Sequence, residues 1–439
     1  MTSKVTLFFY FAVTLFSLQM VQGKIDIPKQ YVSDPSFLEM MTKNPTPSKT
    51  LVAAPNGSGS KCSSSSPCSL KTAVDKLSRG AKLLLKGGTY NVQKGITIGA
   101  SGSANAYIVI SSAPNEKAIL TSSSSGEIGL LQIEGSYIII ENLTFQKVKA
   151  KEAKGISVTD GGQHHLIIRN NYFYKLETPK VKEDYGANAI LLMGENDKGI
   201  KNVIIYGNTV TNLVLGYSEA ISVAGNCENV YVIKNVVKDN TNIGIDFYGN
   251  AKYCKKQSLD QPRYSVAMYN TIEKSVSPYA ACAGLYVDGA RDIYLAENTI
   301  AHSQYGIEIG SEEKNENYPV KNIIIKNNNI KDNTQTGIRL GGFDKSKTGT
   351  VKDSQFIGNT ISGGNNGVII SKAANIKFDS NKFVGIKKYF IDMEFSKSYT
   401  SNIQITNNRF NGSGKFRLYG GSDTSLDQFL KQNPSNKKN

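Results

Sequence analysis

Carboxylates and a phenol recur at matching places in short, near-copied stretches of this chain. The stretches are GISVTD at 155, AILLMG at 189, AISVAG at 220, GIDFYG at 244, GLYVDG at 284, GIEIGS at 306, GIRLGG at 337 and GVIISK at 367. Apolar residues alternate within each, so the third and fifth positions share one face. The third positions read Ser157, Leu191, Ser222, Asp246, Tyr286, Glu308, Arg339 and Ile369. The fifth read Thr159, Met193, Ala224, Tyr248, Asp288 and Gly310. Stacked strands lie ~4.8 Å apart, and alternate residues on one strand lie ~6.8 Å apart. Asp246, Tyr286, Asp288 and Glu308 therefore fall in one patch, with Glu312 or Glu313 bordering it from the next turn and Glu219 from the preceding coil. Stacked carboxylates repel one another unless a cation or a basic group joins them, or their pKa values separate. Calcium suits such oxygen donors, which makes Asp246, Asp288, Glu308 and Glu312 candidate ligands. The plain alternative is a surface ladder of mixed polar residues bridged by Arg339 and nearby lysines.

Two insertions flank the patch. NAKYCKKQSLDQPRYSVAMYN (250–270) brings Lys255, Lys256, Arg263 and Tyr264, and SVSPYAACA (275–283) brings Tyr279. Insertions in stacked-coil proteins project as loops and often wall the binding face. Basic and aromatic groups beside carboxylates suit an anionic sugar, since rings stack on pyranose faces and Arg grips a uronate. Lys255, Lys256, Tyr248, Tyr279 and Arg339 are the candidate substrate contacts. In β-elimination, Arg263 would act as base or neutraliser and Tyr286 would stand near the leaving oxygen. In hydrolysis, Asp246 and Asp288 would be acid and base. One coil and two residues put their backbones ~8 Å apart, within the range of inverting enzymes. A third reading is a surface protein that binds carbohydrate without cleaving it.

These residues need a regular support. Each stretch is followed by a second alternating run, such as HLIIRNN, NVIIYGN, NVYVIKN or DIYLAEN, ending in Asn. The terminal residues are Asn171, Asn208, Asn235, Asn270, Asn298, Asn328, Asn359, Asn381 and Asn408, spaced in the twenties and thirties. Near-copies with no linkers imply coils of short strands stacked in parallel, with the Asn at a left-handed turn and bonded along the stack. The period of two excludes helices. The expected fold is all-β, a single-stranded right-handed parallel β-helix of about ten coils over residues ~81 to 420.

SLKTAVDKLSRG (69–80) has one apolar face and a closing glycine, as a helix capping the open end would. TSLDQFLKQ reads as the opposite cap. The expected divisions are a signal peptide at 1–23, a proline-rich arm or linker at 24–50, the β-helix domain at 51–424 with its N-terminal cap at 51–90, and a cap or tail at 425–439. The apolar run VTLFFYFAVTLFSL is of secretory length, which points to a secreted, extracellular protein without a membrane anchor. The five cysteines fit that compartment: Cys62 and Cys68 would close a small loop, and of Cys227, Cys254 and Cys282 one is left over or pairs outside the chain, with Cys254 and Cys282 the candidate pair. Asn56, Asn142 and Asn411 are glycosylation sequons. The net charge of +15 favours an anionic partner, but no nucleic-acid motif is present. An anionic polysaccharide bound by a monomer is the expectation.

LVAAPNGSGS…PCSLKTAVDKLSRGAKLLLKGGTYN resembles the N-terminal cap of secreted right-handed parallel β-helix proteins of the pectin-lyase-like class, including the pectate-lyase-like and alginate-lyase-like groups. NIGIDFYGN, GLYVDGARDI and GIEIGSE resemble their coils. The resemblance implies a polysaccharide lyase. It does not extend to family 9 pectate lyases' calcium aspartates, because the matching NTNIGIDF has Asp246 alone. Nor does it extend to the NTD, paired DD, GHG and RIK motifs of polygalacturonases, since His164, His165 and His302 fall elsewhere.

Overall fold

The computed structural model describes residues 25–179, 185–313, 317–342 and 349–438. The signal segment at 1–23 lies outside them. Three sheets of thirteen strands each run the length of the molecule. The first spans Lys49–Ala53 to Thr400–Thr406, the second Ile96–Ile98 to Asp423–Thr424, and the third Gly88–Asn91 to Lys437–Lys438. Among the described residues all strand-to-strand pairings are parallel except that of Lys415–Arg417 with Asp423–Thr424, and a few isolated bridges such as Tyr248 to Gly289 are antiparallel. Each coil contributes one strand to each sheet, which makes a parallel β-helix. It is longer than the expected ten or so coils, because the coils before Gly155 belong to the same stack without its Gly-started alternation.

Inward Val, Ile, Leu and Phe form one continuous core, with Phe145 on Phe173, Phe356 on Phe378 and Phe383 on Phe410 in stacked pairs. The recurrent glycine that opens each second-sheet stretch also faces inward. A Cβ on Gly284, Gly306 or Gly337 would come within 2.4–2.6 Å of an isoleucine methyl of the third sheet. The nine Asn form an unbroken buried ladder extended by Asn436. Each side-chain amide donates to the Oδ1 of the next at 2.9–3.1 Å. The left-handed turn is not at these Asn, as expected, but one residue earlier: Asn170, Lys234, Tyr269, Glu297, Asn327, Ser380 and Asn407 all have φ of 54–58°. The ladder holds the turn from its second residue, so many residue types can occupy the strained first one.

The first helix covers only Leu70–Asp75, capped by Ser69 accepting from the Thr72 amide. It stops short of Gly80 because Ala81 must enter the first sheet opposite Lys49. Helix Leu426–Gln432 closes the other end, stacking Phe429 on Phe416 at 3.7 Å. The 25–44 segment lies along the outer face of the first sheet, with Tyr31, Phe37 and Met41 on Val109, Ile139, Ile167 and Ile204. Arg169, paired with Glu141 at 2.5 Å, donates to the Met41 and Lys43 carbonyls and fastens this arm.

Cys62 and Cys68 are bonded. Cys254 and Cys282 are not: both are free and buried, as is Cys227. Cys282 directly precedes the second-sheet strand Ala283–Asp288 and donates to the Gln304 side chain, whereas Cys254 follows Ile243–Tyr248 and lies by Asp197. They flank opposite ends of the second-sheet strands, each bonded to a different neighbour. The sequon residues Asn56, Asn142 and Asn411 are all exposed. Among the described residues, no helix is long and apolar enough to cross a membrane.

Candidate active site

The outward column of the second sheet is in the expected register. Ser157 pairs with Leu191, Leu191 with Ser222, Ser222 with Asp246, Asp246 with Tyr286, Tyr286 with Glu308, Glu308 with Arg339, and Arg339 with Ile369. In the neighbouring column Met193 pairs with Ala224, Ala224 with Tyr248, and Asp288 with Gly310. A cleft of about 550 Å³ opens over the earlier part of both columns. Asp246 and Asp288 form part of its lining, with Glu219 and Glu312 beside them and Leu191, Met193 and Ala224 further back.

The acids of the cleft hold their protons unusually tightly. Burial, and then the charges of Glu219 and Asp288, keep the Asp246 carboxyl well above the usual carboxylate range. Burial and Glu312 do the same to Asp288, although the Glu312 amide donates to Asp288 Oδ1 at 2.8 Å. Burial pushes Glu219 up to about 7 against the opposing hydrogen bond of Ser222. Asp246 is 1% exposed, and its Oδ1 has no hydrogen-bond partner. A buried carboxyl oxygen left unpaired is costly unless a ligand completes it. Burial also raises the Tyr248 and Tyr253 phenols, whose rings meet edge to face at 5.6 Å on one rim. On the other rim Tyr217, 51% exposed, meets Tyr279 at 5.5 Å.

Tyr286 and Glu308 are in register with Asp246 but do not reach the cleft. Ile243, Cys282, Ala283 and Tyr305 cluster with Tyr286 and cover it. The Tyr286 hydroxyl and Glu308 Oε1 are buried without partners, and burial, opposed by Arg339, holds Glu308 at about 8. Arg339 is turned to structural use, donating to the Gly342 carbonyl at 3.0 Å and pairing with Glu394 at 3.4 Å. Tyr279 is spent in the same way, its hydroxyl donating to the Gly216 carbonyl at 2.6 Å, while its loop supplies Ala280 and Ala281 to the cleft wall.

Arg263 is not at the cleft. Its guanidinium pairs with Glu228 at 2.8 Å and donates to Asn226 Oδ1 and the Gln261 carbonyl, 6% exposed at the edge of the first sheet. Arg263 lies two residues before the first-sheet strand Ser265–Met268 and bridges to Glu228 of the neighbouring first-sheet strand. Lys255 and Lys256 are exposed and line no part of the cleft. Sequence reasoning missed Glu152, Lys154, Tyr185, Asn188, Tyr217 and Tyr253, all of which line it. Lys154 pairs with Asn188 in register, each one residue ahead of the Gly or Ala taken as the start of the strand. Because that small residue turns inward, the residue before it faces out, a signal readable from the repeat.

Among the described residues, no three His, Cys, Asp or Glu side chains are placed to hold one metal ion. Asp246 and Glu308 are kept two coils apart by Tyr286, ~10 Å by strand spacing, and one Asp288 oxygen is taken by a backbone amide. The candidate set does not fit calcium as it stands.

The family described as Pel9A-like, right-handed β-helix region, matches residues 51–277, just over half of the chain. This chain belongs to the Pel9A-like right-handed β-helix family. A second family, right-handed β-helix region, matches 265–427. The uncharacterized protein YwoF of Bacillus subtilis strain 168 is 31% identical over 295 residues, 64% of this chain and 61% of YwoF. Similar solved structures include an alginate lyase from Paenibacillus sp. str. FPU-7, at 16% identity and TM-score 0.50, covering 71% of this chain and 95% of that one. A mannuronic acid specific family 6 polysaccharide lyase from human gut microbiota gives 16% and 0.51, over 89% and 91%. The family 6 polysaccharide lyase Pedsa3628 from Pseudopedobacter saltans gives 15% and 0.51, over 84% and 89%. At these identities the likeness establishes the shared right-handed β-helix fold.

Proposed function

We propose that this chain is a secreted polysaccharide-cleaving enzyme that breaks a uronate-containing polymer by β-elimination in the second-sheet cleft. The observation that carries the reading is the pair of buried acids Asp246 and Asp288, held on adjacent coils of an open cleft, one with an orphaned oxygen. Groups with raised proton affinity in a cleft are suited to proton transfer near neutral pH. Asp246 takes the proton from C5 of the sugar, and the Asp288 carboxyl gives one to the departing glycosidic oxygen. The tyrosine pairs on the two rims suit the faces of a sugar chain lying along the stack. Family membership supports a polysaccharide substrate, and the Cys62–Cys68 disulfide supports an extracellular location.

Hydrolysis by the same pair is the second reading, favoured by their register, one coil and two residues apart. The test is a screen of the purified chain against pectate, esterified pectin, alginate and glycosaminoglycans, reading absorbance of unsaturated products and new reducing ends. Unsaturated products support elimination, and reducing ends alone support hydrolysis. A polymer that binds without either product makes this a binding protein.

A further inference from the structure

We propose that the cleft accepts its uronate units uncharged, with the sugar carboxyl masked as an ester, and so cuts esterified stretches of an otherwise anionic polymer. The inference rests on the elimination reading and adds the substrate class to it. Charge is the first ground. Glu152, Glu219, Asp246, Asp288 and Glu312 line the cleft, against Lys154 as the one Lys or Arg among its described lining residues. Lys154 is already paired with Glu152. Among the described residues, no Lys or Arg forms an ion pair with Glu219, Asp246, Asp288 or Glu312. A free uronate carboxylate would find no unpaired Lys or Arg among these described residues to offset its charge, only acids whose own ionisation it would oppose. The unpartnered Asp246 Oδ1, by contrast, asks for a hydroxyl donor.

The second ground is independent. Beside the acid row the cleft floor is apolar, with Leu191, Met193 and Ala224 standing on the outward face. Leu191 and Ala224 are 4% and 1% exposed, so this floor is deep. These three side chains offer a carboxylate no donor, and Ser222 beside Leu191 is engaged by Glu219, but they offer an ester methyl an apolar contact.

The chemistry agrees with both. Elimination from a free uronate needs a cation to neutralise the sugar carboxylate before C5 will release its proton. The candidate acids do not converge on a metal, and Arg263 is elsewhere. An ester carbonyl already withdraws electrons from C5 and needs no such cation. The Asp246 carboxylate takes the C5 proton, the freed electron pair becomes the C4–C5 double bond, and the C4–O bond breaks. Asp288 protonates the departing oxygen, and the ester is unchanged. The net charge of +15 then attracts the anionic polymer as a whole, while the cleft selects its masked units.

The experiment compares initial rates of the intact chain on a homogalacturonan of high methyl-ester content and on the same polymer after saponification. Unsaturated products are read at low salt, with and without millimolar calcium. The esterified polymer should be cut at least tenfold faster, and Met193→Arg, which puts a cation on the apolar floor, should shrink that ratio severalfold. Equal or faster cutting of the saponified polymer, with or without calcium, overturns the inference and leaves the elimination reading standing. Reducing ends without unsaturation remove elimination, and the ratio of rates on the two polymers still decides the charge preference. Should neither polymer be cut, the ratio of their affinities in gel retardation decides it.

Discussion

Asp246 and Tyr286 are direct register partners on adjacent coils, yet only Asp246 opens to the cleft. The difference comes from what lies above them. Asp246 faces the space between the Tyr217 and Tyr253 rims, whereas Tyr286 is roofed by Tyr305, Ile243 and Cys282. A column that is continuous in sequence is thereby divided into an accessible acid pair and a buried remainder.

That division predicts different outcomes for substitutions that look alike. Asp246→Asn and Asp288→Asn should each lower turnover by about a hundredfold or more, as expected for loss of a proton-transfer group, with thermal stability unchanged or raised because mutual repulsion is relieved. Arg263→Ala should do the reverse. It takes the closer partner from Glu228, which keeps Lys201 at 3.8 Å, and leaves Asn226 Oδ1 unpaired, so it should lower stability by about 2 kcal/mol and leave the turnover of the folded fraction within a few-fold. Kinetics and denaturant melts on the three variants check this.

Stability should fall as pH rises through neutrality. Glu308 and Glu219 are held at about 8 and about 7, above the ordinary 4.5 of a glutamate. Between those values and 4.5 the native state binds more protons than the unfolded chain, so unfolding free energy decreases with pH. The stabilisation is complete below pH ~4.5 and is lost by pH ~8. Melting temperature should therefore decline across pH 5 to 8, and Glu308→Gln should flatten the decline. A melting temperature that rises over this window would contradict the burial of these acids.

Cys227, Cys254 and Cys282 should behave as three inert thiols. Burial pushes Cys227 and Cys282 up to about 12, far from the thiolate form. The native protein should resist alkylation. Unfolded without reductant, it should take up three alkyl groups, and with reductant five. One alkyl group on the unreduced unfolded chain would restore a Cys254–Cys282 bond.

How much could be read beforehand follows from the geometry of a coil. The register of Ser157, Leu191, Ser222, Asp246, Tyr286, Glu308 and Arg339 was legible because a period of two admits one alignment of the repeats. Which members are roofed was not legible, since Tyr305 covers Tyr286 from the next coil, beyond any local pattern. Arg263 was misplaced for a related reason. An insertion read as one loop over the second sheet in fact crosses to the edge of the first, where Glu228 holds its last residues. Lys154 and Asn188 were overlooked because the counted repeat began at an inward glycine or alanine, one residue after them.

The Asn ladder gives the sharpest test of the fold itself. Asn270 is 1% exposed and fully used: its amide groups donate to the Val232 carbonyl at 2.9 Å and to Asn298 Oδ1, while its own Oδ1 accepts from the backbone and side chain of Asn235. Asn270→Ala removes the side-chain bonds, strands the Asn235 backbone amide and the Val232 carbonyl inside the core, and leaves Asn298 Oδ1 with the Asn270 backbone amide alone. Each buried group so orphaned costs about 1–3 kcal/mol, so the variant should lose about 4 kcal/mol. Asn436 ends the described ladder, accepting from Asn408 and donating to the Ile405 carbonyl, with no Asn beyond it. Asn436→Ala strands the matching Asn408 amides and Ile405 carbonyl, but between the exposed Ser435 and Lys437, where water can reach them, and should lose about half as much. Asn270→Asp keeps the acceptor but loses the donor, and buries a charge unless it is protonated. It should be more destabilising at pH 8 than at pH 4. Denaturant melts of the three variants at both pH values check the ranking, and equal losses at Asn270 and Asn436 would mean that water does not reach the groups stranded at the end of the ladder.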